Sequence, residues 1–155
     1  MVNDFSGNGF LPDDHYDLVT LIEVIEHLTA EDIRELIGFA RRKLKAGGKL
    51  VITTPNFASF WPALEMMLNR FSDVKYQEQH ITRFSYFNVK TKLGGIVDGF
   101  HDHFRIGYKT TTHLLTPFVA AFSFTLASQI SSAVSPDKWK IPLGSILIIQ
   151  LIKNQ

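Results

Sequence analysis

Residues 16–56 read YDLVTLIEVIEHLTAEDIRELIGFARRKLKAGGKLVITTPN, and the succession of elements within them decides the fold. Tyr16 to Glu23 is a mostly apolar run rich in β-formers, preceded by the turn-like Leu11-Pro12-Asp13-Asp14, and reads as a buried strand whose polar end is Glu23. Thr29, with Asp32 three residues on, has the form of a capping box. Ile33, Leu36, Ile37, Ala40 and Leu44 then recur at the i, i+3, i+4 spacing of an amphipathic helix, which Gly47-Gly48 is expected to end. Leu50-Val51-Ile52-Thr53-Thr54 follows as a second buried strand, stopped by Pro55. Strand, helix and strand within about forty residues is the spacing of a βαβ unit. Its two strands should lie parallel, in a sheet covered on both faces.

Further along, Phe57 to Phe71 is a second helix candidate carrying Trp61, Leu64, Met67 and Leu68, with Pro62 restricting where it begins. A polar stretch from Ser72 to Thr82 leads to a third helix, Ser85 to about Gly95, with Phe87, Leu93 and Ile96 pointing inward. Phe104 to Lys109 and Ser145 to Ile152 read as two late strands, the second fit for a sheet interior. Between them, residues 114–134 hold no charge, and Phe118, Phe122, Leu126, Ile130 and Val134 recur at every fourth position as on one helical stripe. A membrane crossing needs roughly twenty predominantly apolar residues, and Thr116, Ser123, Thr125, Ser128, Gln129, Ser131 and Ser132 interrupt this run. A helical insertion packed on the sheet or in an oligomer contact ranks above an interfacial membrane helix, because its polar face lacks Lys and Arg.

The 155 residues are 45% apolar and 12% aromatic, enough for one ordinary core, so residues 1–155 are expected to form a single soluble domain. The formal net charge is +1 and the bases are scattered apart from Arg41-Arg42-Lys43 and Lys45, which makes no case for nucleic-acid binding. The chain has no cysteine, which excludes disulfides, thiolate nucleophiles and zinc-thiolate sites and fits a cytoplasmic setting. Met1 to Asp14 is polar and acidic, unlike a cleavable secretory signal.

Residues 16–28, the helix ending in Leu44-Lys45-Ala46-Gly47-Gly48-Lys49-Leu50, and Val51-Ile52-Thr53-Thr54-Pro55-Asn56 resemble, in order and spacing, the fourth strand, fourth helix and fifth strand of class I S-adenosylmethionine (SAM)-dependent methyltransferases. His80-Ile81-Thr82-Arg83-Phe84-Ser85, followed by Leu93 and Gly99-Phe100, is similar to that family's later H-x-x-x-F-[ST] segment and its G-F turn into the sixth strand. Lys140 to Ser145 before the last strand also resembles many bacterial members. The resemblance implies an α/β fold, a partial Rossmann-like sheet with helices on both faces and the first strands of the usual fold missing. SAM is the implied cofactor. The family's glycine-rich turn and ribose-binding acid have no counterpart here, since Gly7-Asn8-Gly9 has no strand before it and no helix after it. Asn3-Asp4-Phe5 resembles the segment beside the adenine, so Asp4 and Phe5, with Ile22 and Glu23, are the implied cofactor-side residues.

Ligands of open α/β sheets lie at the carboxyl ends of the strands. Glu23 ends the first strand and Ile25, Glu26 and His27 lie in the turn after it, so this group is expected to face the donor and acceptor. His27 is the candidate base, with Glu26 beside it, because imidazole titrates near neutrality. The alternative is that both order the loop and cap the following helix. His80 and Arg83 are placed on the substrate side by the resemblance. No resident metal is expected, although Glu23, Glu26, His27 and His80 also resemble the two-Glu, two-His metal site of small-RNA 2′-O-methyltransferases. His101 and His103 read as surface histidines near a turn. Thr54-Pro55-Asn56 is not the Asn-Pro-Pro-Tyr motif of amino-directed nucleic-acid methyltransferases, so DNA is not an expected partner.

The resulting expectation is a methyltransferase acting on a small-molecule, sugar or lipid acceptor, with residues 114–134 as a lid or membrane-proximal wall. Its rivals are an inactive fragment serving as a binding or assembly module, half of a split enzyme, and a metal-dependent RNA methyltransferase. An unpaired apolar strand at 16–23 would seek a second copy or an N-terminal-half partner. The expected location is cytoplasmic, with peripheral membrane contact as the alternative.

Overall fold

The computed structural model describes residues 11–71, 80–112, 116–120, 122–133 and 142–155. Strand β1 is Tyr16–Ile22, helix α1 is Ala30–Lys43 and strand β2 is Leu44–Pro55, with a 3-10 turn at Ile25–His27 between β1 and α1. Helices α2 (Trp61–Phe71), α3 (Val89–Ile96) and α4 (Phe100–His103) lead to strand β3, Phe104–Thr112. Helices α5 (Thr116–Ala120) and α6 (Phe124–Ala133) precede strand β4, Ile146–Lys153. The four strands form one sheet in the order β1-β2-β4-β3. The β1–β2 pair is parallel, as the βαβ spacing requires, and β4 runs antiparallel to both of its neighbours.

Alternation along the strands sends Leu50 and Ile52 of β2 and Leu147, Ile149 and Leu151 of β4 to one face, where all five are fully buried. Ile33, Leu36, Ile37 and Ala40 of α1, with Leu93 and Ile96 of α3 and Phe100 of α4, complete that core. A helix of 14 residues is marginal alone in water, so α1 depends on this packing together with its capping box. On the other face β1 leaves Leu18 53% and Ile22 64% exposed, and its outer edge pairs with no strand among the described residues.

Four local expectations are corrected. Helix α1 stops at Lys43, before Gly47-Gly48, because Leu44 turns extended (ψ 139°) while its N–H still caps the Ala40 carbonyl. Leu44 is thus a buried strand residue, and the glycines shape an irregularity where the β1–β2 register slips between Tyr16 and Leu18. Gly47 has φ +76°, and a Cβ on Gly48 would sit 3.1 Å from the Tyr16 carbonyl oxygen. Helix α2 begins at Trp61, after a turn in which the Asn56 carbonyl accepts from both the N–H and the hydroxyl of Ser59. Helix α3 begins at Val89, since Ser85 and Asn88 exchange side-chain to backbone bonds in a turn that leaves Phe87 66% exposed.

The uncharged stretch is two helices. Ser123 ends the first turn system by donating its N–H to the Val119 carbonyl, and it starts α6 by accepting from Leu126 and Ala127. The four-residue stripe therefore does not form one inward face: Phe122 is 92% exposed and Leu126 is exposed, whereas Ala127 is buried. Val134 lies outside the described residues. No described helix is long and apolar enough to cross a membrane.

Asn56, fully buried at the end of β2, joins three segments. Its Nδ2 donates to the carbonyls of Pro142 and Gly144, both at 2.8 Å, while Oδ1 accepts from the N–H of Ala58 (3.2 Å) and Tyr86 (3.0 Å). Leaving a buried polar group unpaired costs roughly 1–3 kcal/mol. With up to four groups stranded, Asn56→Ala should lower unfolding free energy by at least about 3 kcal/mol in urea denaturation.

Candidate functional site

The chain leaves β1 through Glu23, whose φ of +52° lies in the left-handed region that favours glycine. Thr53 of the adjacent strand holds that turn. Its carbonyl accepts from the Glu23 N–H at 3.2 Å, and its hydroxyl donates to Glu23 Oε1 at 2.8 Å. Strain in a non-glycine residue, of order 1–3 kcal/mol, persists only where its surroundings enforce it. The consequence is a sharp redirection that buries Ile25 and Glu26 and begins α1 at the Thr29–Asp32 capping box.

A distant segment docks on this turn. Thr82 donates its N–H to the Glu26 carbonyl at 3.0 Å and its hydroxyl to the Leu28 carbonyl at 2.7 Å. His80 is thereby brought beside the turn, with its ring centroid 5.1 Å from that of His27. His27 Nε2 lies 3.8 Å from Glu26 Oε1. On its other side, His80 Nδ1 is 2.9 Å from Glu65 Oε1 of α2, and both side chains are almost entirely buried. Phe57 and Trp61 close the apolar wall around the His80 ring. One potential ligand atom from each of Glu26, His27 and His80 lies within 4.8 Å of the others.

The pocket is polar beyond what its described residues pair. Glu26 Oε2, Thr54 Oγ1 and Trp61 Nε1 are buried with no hydrogen-bond partner among the described residues. Burial is the main cause that raises the Glu26 carboxyl above the usual 4.5, and the negative charge of Glu23 adds to it. The residue's own backbone amide, His27 and Thr54 act in the opposite direction.

Two of the residues expected in the site, Glu26 and His27, are joined by His80 from the substrate-side pair. Arg83 stands apart, exposed, with its guanidinium 5.3 Å from the Phe57 ring centroid. Glu23 bonds to Thr53 and does not enter the Glu26–His27–His80 group, which corrects the four-residue metal set drawn from the sequence. Ile22 lies exposed at the end of β1, while Asp4 and Phe5 are outside the described residues. His101 and His103 sit on α4 and join no metal-type group among the described residues. Glu65 was missed. Its signal was a single acid in the otherwise apolar run Leu64-Glu65-Met66-Met67-Leu68, four residues after Trp61.

A carboxyl whose folded value is raised contributes stability that is fully present below its unfolded value and lost as pH rises through the folded one. Chemical denaturation of Glu26→Gln against the wild type, without added metal, should show the wild type losing ground progressively as pH rises above about 4.5. Parallel stability curves across that window would contradict the assignment of a buried, raised carboxyl.

With this geometry in place, the chain can be compared with known proteins. Residues 3–93, more than half of the chain, match the family profile described as a methyltransferase domain. A SAM-dependent methyltransferase from Archaeoglobus fulgidus superposes with a TM-score of 0.55 at 19% identity, covering 92% of this chain and 62% of that one. A SAM-dependent methyltransferase from Thermotoga maritima gives 0.58 at 15% identity, covering 95% and 60%. A methyltransferase in complex with the Trm112 activator of Haloferax volcanii gives 0.54 at 15%, covering 100% and 60%. Identities this low show the fold alone, and the chain spans about 60% of the length of these neighbours. No curated protein matches it. The four-stranded sheet is the Rossmann-like sheet of these enzymes, whose methyl donor is SAM, and the chain belongs to the class I SAM-dependent methyltransferase family.

Proposed function

We propose that this chain supplies the acceptor side of a SAM-dependent methyltransferase that methylates a hydroxyl of a small-molecule, sugar or lipid acceptor. The observation that carries this reading is the convergence of Glu26, His27 and His80 at the carboxyl end of β1, the position where sheets of this class bind ligands. When bound, SAM supplies an electrophilic methyl group on a sulfonium. The residues described fit one wall of such a donor site: Ile22 is an exposed apolar side chain at the end of β1, followed by the backbone turn at Glu23. Asp4 and Phe5 remain the proposed adenine side by family resemblance.

Transfer to a hydroxyl releases a proton, and His27 is the group proposed to take it. Its side chain is 42% exposed, so an acceptor can reach it, while the buried Glu26 carboxyl lies against its Nε2 side. His80, fixed by Glu65, and the exposed Arg83 form the proposed substrate side. General-base contributions are typically about 10²–10⁴-fold. Replacing His27 with Gln in the SAM-bound enzyme should reduce methyl transfer from radiolabelled SAM to a panel of hydroxyl acceptors by that order. Undiminished transfer would remove His27 from the role.

The open edge of β1 favours a second, compatible reading in which the donor wall is completed by another polypeptide segment. Leu18 and Ile22 are exposed on that strand, and unpaired strand edges recruit partners. The Haloferax volcanii neighbour is seen with an activator protein. For this chain the proposed partner is a second copy or an N-terminal half carrying a strand and glycine-rich turn. Light scattering should show dimers or larger species of the 155-residue chain, and equilibrium dialysis should show SAM retained more tightly once such a half is added. A monodisperse monomer whose SAM binding is unchanged by the added half would reject this reading.

A further inference from the structure

We infer that Glu65 is a positioning residue: it holds the His80 ring so that Nε2 accepts a hydrogen bond from a second hydroxyl of the acceptor, next to the one that is methylated. The inference deepens the proposed function and rests on it for the bound compound being a methyl acceptor, with His27 kept as the base. It narrows the acceptor class to compounds with neighbouring hydroxyls.

The buried pair is the first reason. Glu65 Oε1 lies 2.9 Å from His80 Nδ1, and both side chains are almost entirely buried. An ionised carboxyl accepts hydrogen bonds and donates none, so a neutral ring bonded to it carries its proton on Nδ1 and keeps a lone pair on Nε2. Stability does not explain the pair, because apolar replacements of buried charged partners are often neutral or stabilising. Glu65 also stands in the apolar run Leu64-Glu65-Met66-Met67-Leu68, where leucine would propagate the helix equally well. What Glu65 adds is one orientation and one tautomer of the ring.

The surroundings of the ring are the second reason. Phe57 packs edge-on with its centroid at 5.9 Å, Trp61 stands at 6.3 Å and Glu65 occupies Nδ1. The remaining neighbour is the His27 ring at 5.1 Å, and because His27 is 42% exposed, a ligand reaches His80 beside it. A ring nitrogen of His80 lies within 4.8 Å of a ring nitrogen of His27. Hydrogen bonds from hydroxyls are roughly 2.5–3.0 Å long, so two nitrogens this close are met together by hydroxyls on adjacent carbons. Third, the His80 segment is anchored separately, through the Thr82 bonds to the Glu26 and Leu28 carbonyls. Glu65 is therefore left with fixing the ring and not with docking the segment.

The test begins on the ¹⁵N-labelled full chain without SAM. Long-range ¹H–¹⁵N correlation should show the neutral His80 ring protonated on Nδ1, and Glu65→Leu should abolish that preference. Titrated cis-1,2-cyclohexanediol should shift the His80 Nε2 resonance saturably, and cyclohexanol, with one hydroxyl fewer, should bind at least about tenfold more weakly. Glu65→Leu should erase this difference. If that variant does not fold, as judged by circular dichroism, Glu65→Gln decides the matter: its amide offers either an oxygen or an N–H to Nδ1, so the tautomers should mix and the diol preference should fall. In the SAM-bound enzyme the diol should also be methylated with the higher kcat/KM, and Glu65→Gln should raise its KM more than it lowers kcat. Absence of transfer to every acceptor, with the tautomer and the diol preference intact, removes His27 from its role as base and leaves that of Glu65 standing. A wild-type His80 ring protonated on Nε2, or equal binding of the two probes, overturns the inference.

Discussion

The site depends on two carbonyls. Those of Glu26 and Leu28, left unpaired by the tight turn after β1, accept both hydrogen bonds of Thr82 and so pin a segment more than fifty residues away in sequence against the β1–α1 junction. Without that docking His80 would have no reason to stand beside His27, and Glu65 would lose its buried partner. The turn itself exists because Thr53 enforces a positive φ at Glu23 across the β1–β2 pairing. Sheet pairing, backbone strain and side-chain convergence are therefore one continuous mechanical connection.

Glu26 and His80 are buried together with the polar side chains of Thr54, Glu65 and Thr82, beside a core of aliphatic and aromatic residues. Burying polar groups is unfavourable unless they are satisfied. Glu65 satisfies His80, whereas Glu26 Oε2 and Trp61 Nε1 find no partner among the described residues. Such a concentration of unspent bonding capacity is costly to a fold and useful to a ligand. It sits at the carboxyl ends of parallel strands, where the alternation of elements already provides an opening.

The two faces of the sheet differ in kind. Helices α1 and α3 bury one face with aliphatic side chains, while β1 shows apolar side chains and an unpaired backbone edge on its outer side. Asn56 stiffens the carboxyl end of β2 by tying it to the segment before β4 and to Tyr86. The helices α5 and α6 pack on each other, with Phe122 at their junction and Phe124 at the start of α6 largely exposed.

Sequence by itself determined the parallel β1–α1–β2 unit and the presence of two late strands, because hydrophobic period, a capping box and strand-ending residues are local signals. It also pointed to Glu26 and His27, since they follow a strand end directly. It overextended α1 through Gly47-Gly48 and misjudged Phe87, because helix ends and turns depend on which carbonyls and side chains are near in space. It read one stripe where Ser123 starts a second helix. Only the tertiary structure paired Glu65 with His80, tied Glu23 to Thr53, and buried the Glu26 carboxyl beside them. The physical reason is separation: contacts between residues 15 to 56 positions apart are set by docking and burial, which leave no period in the chain.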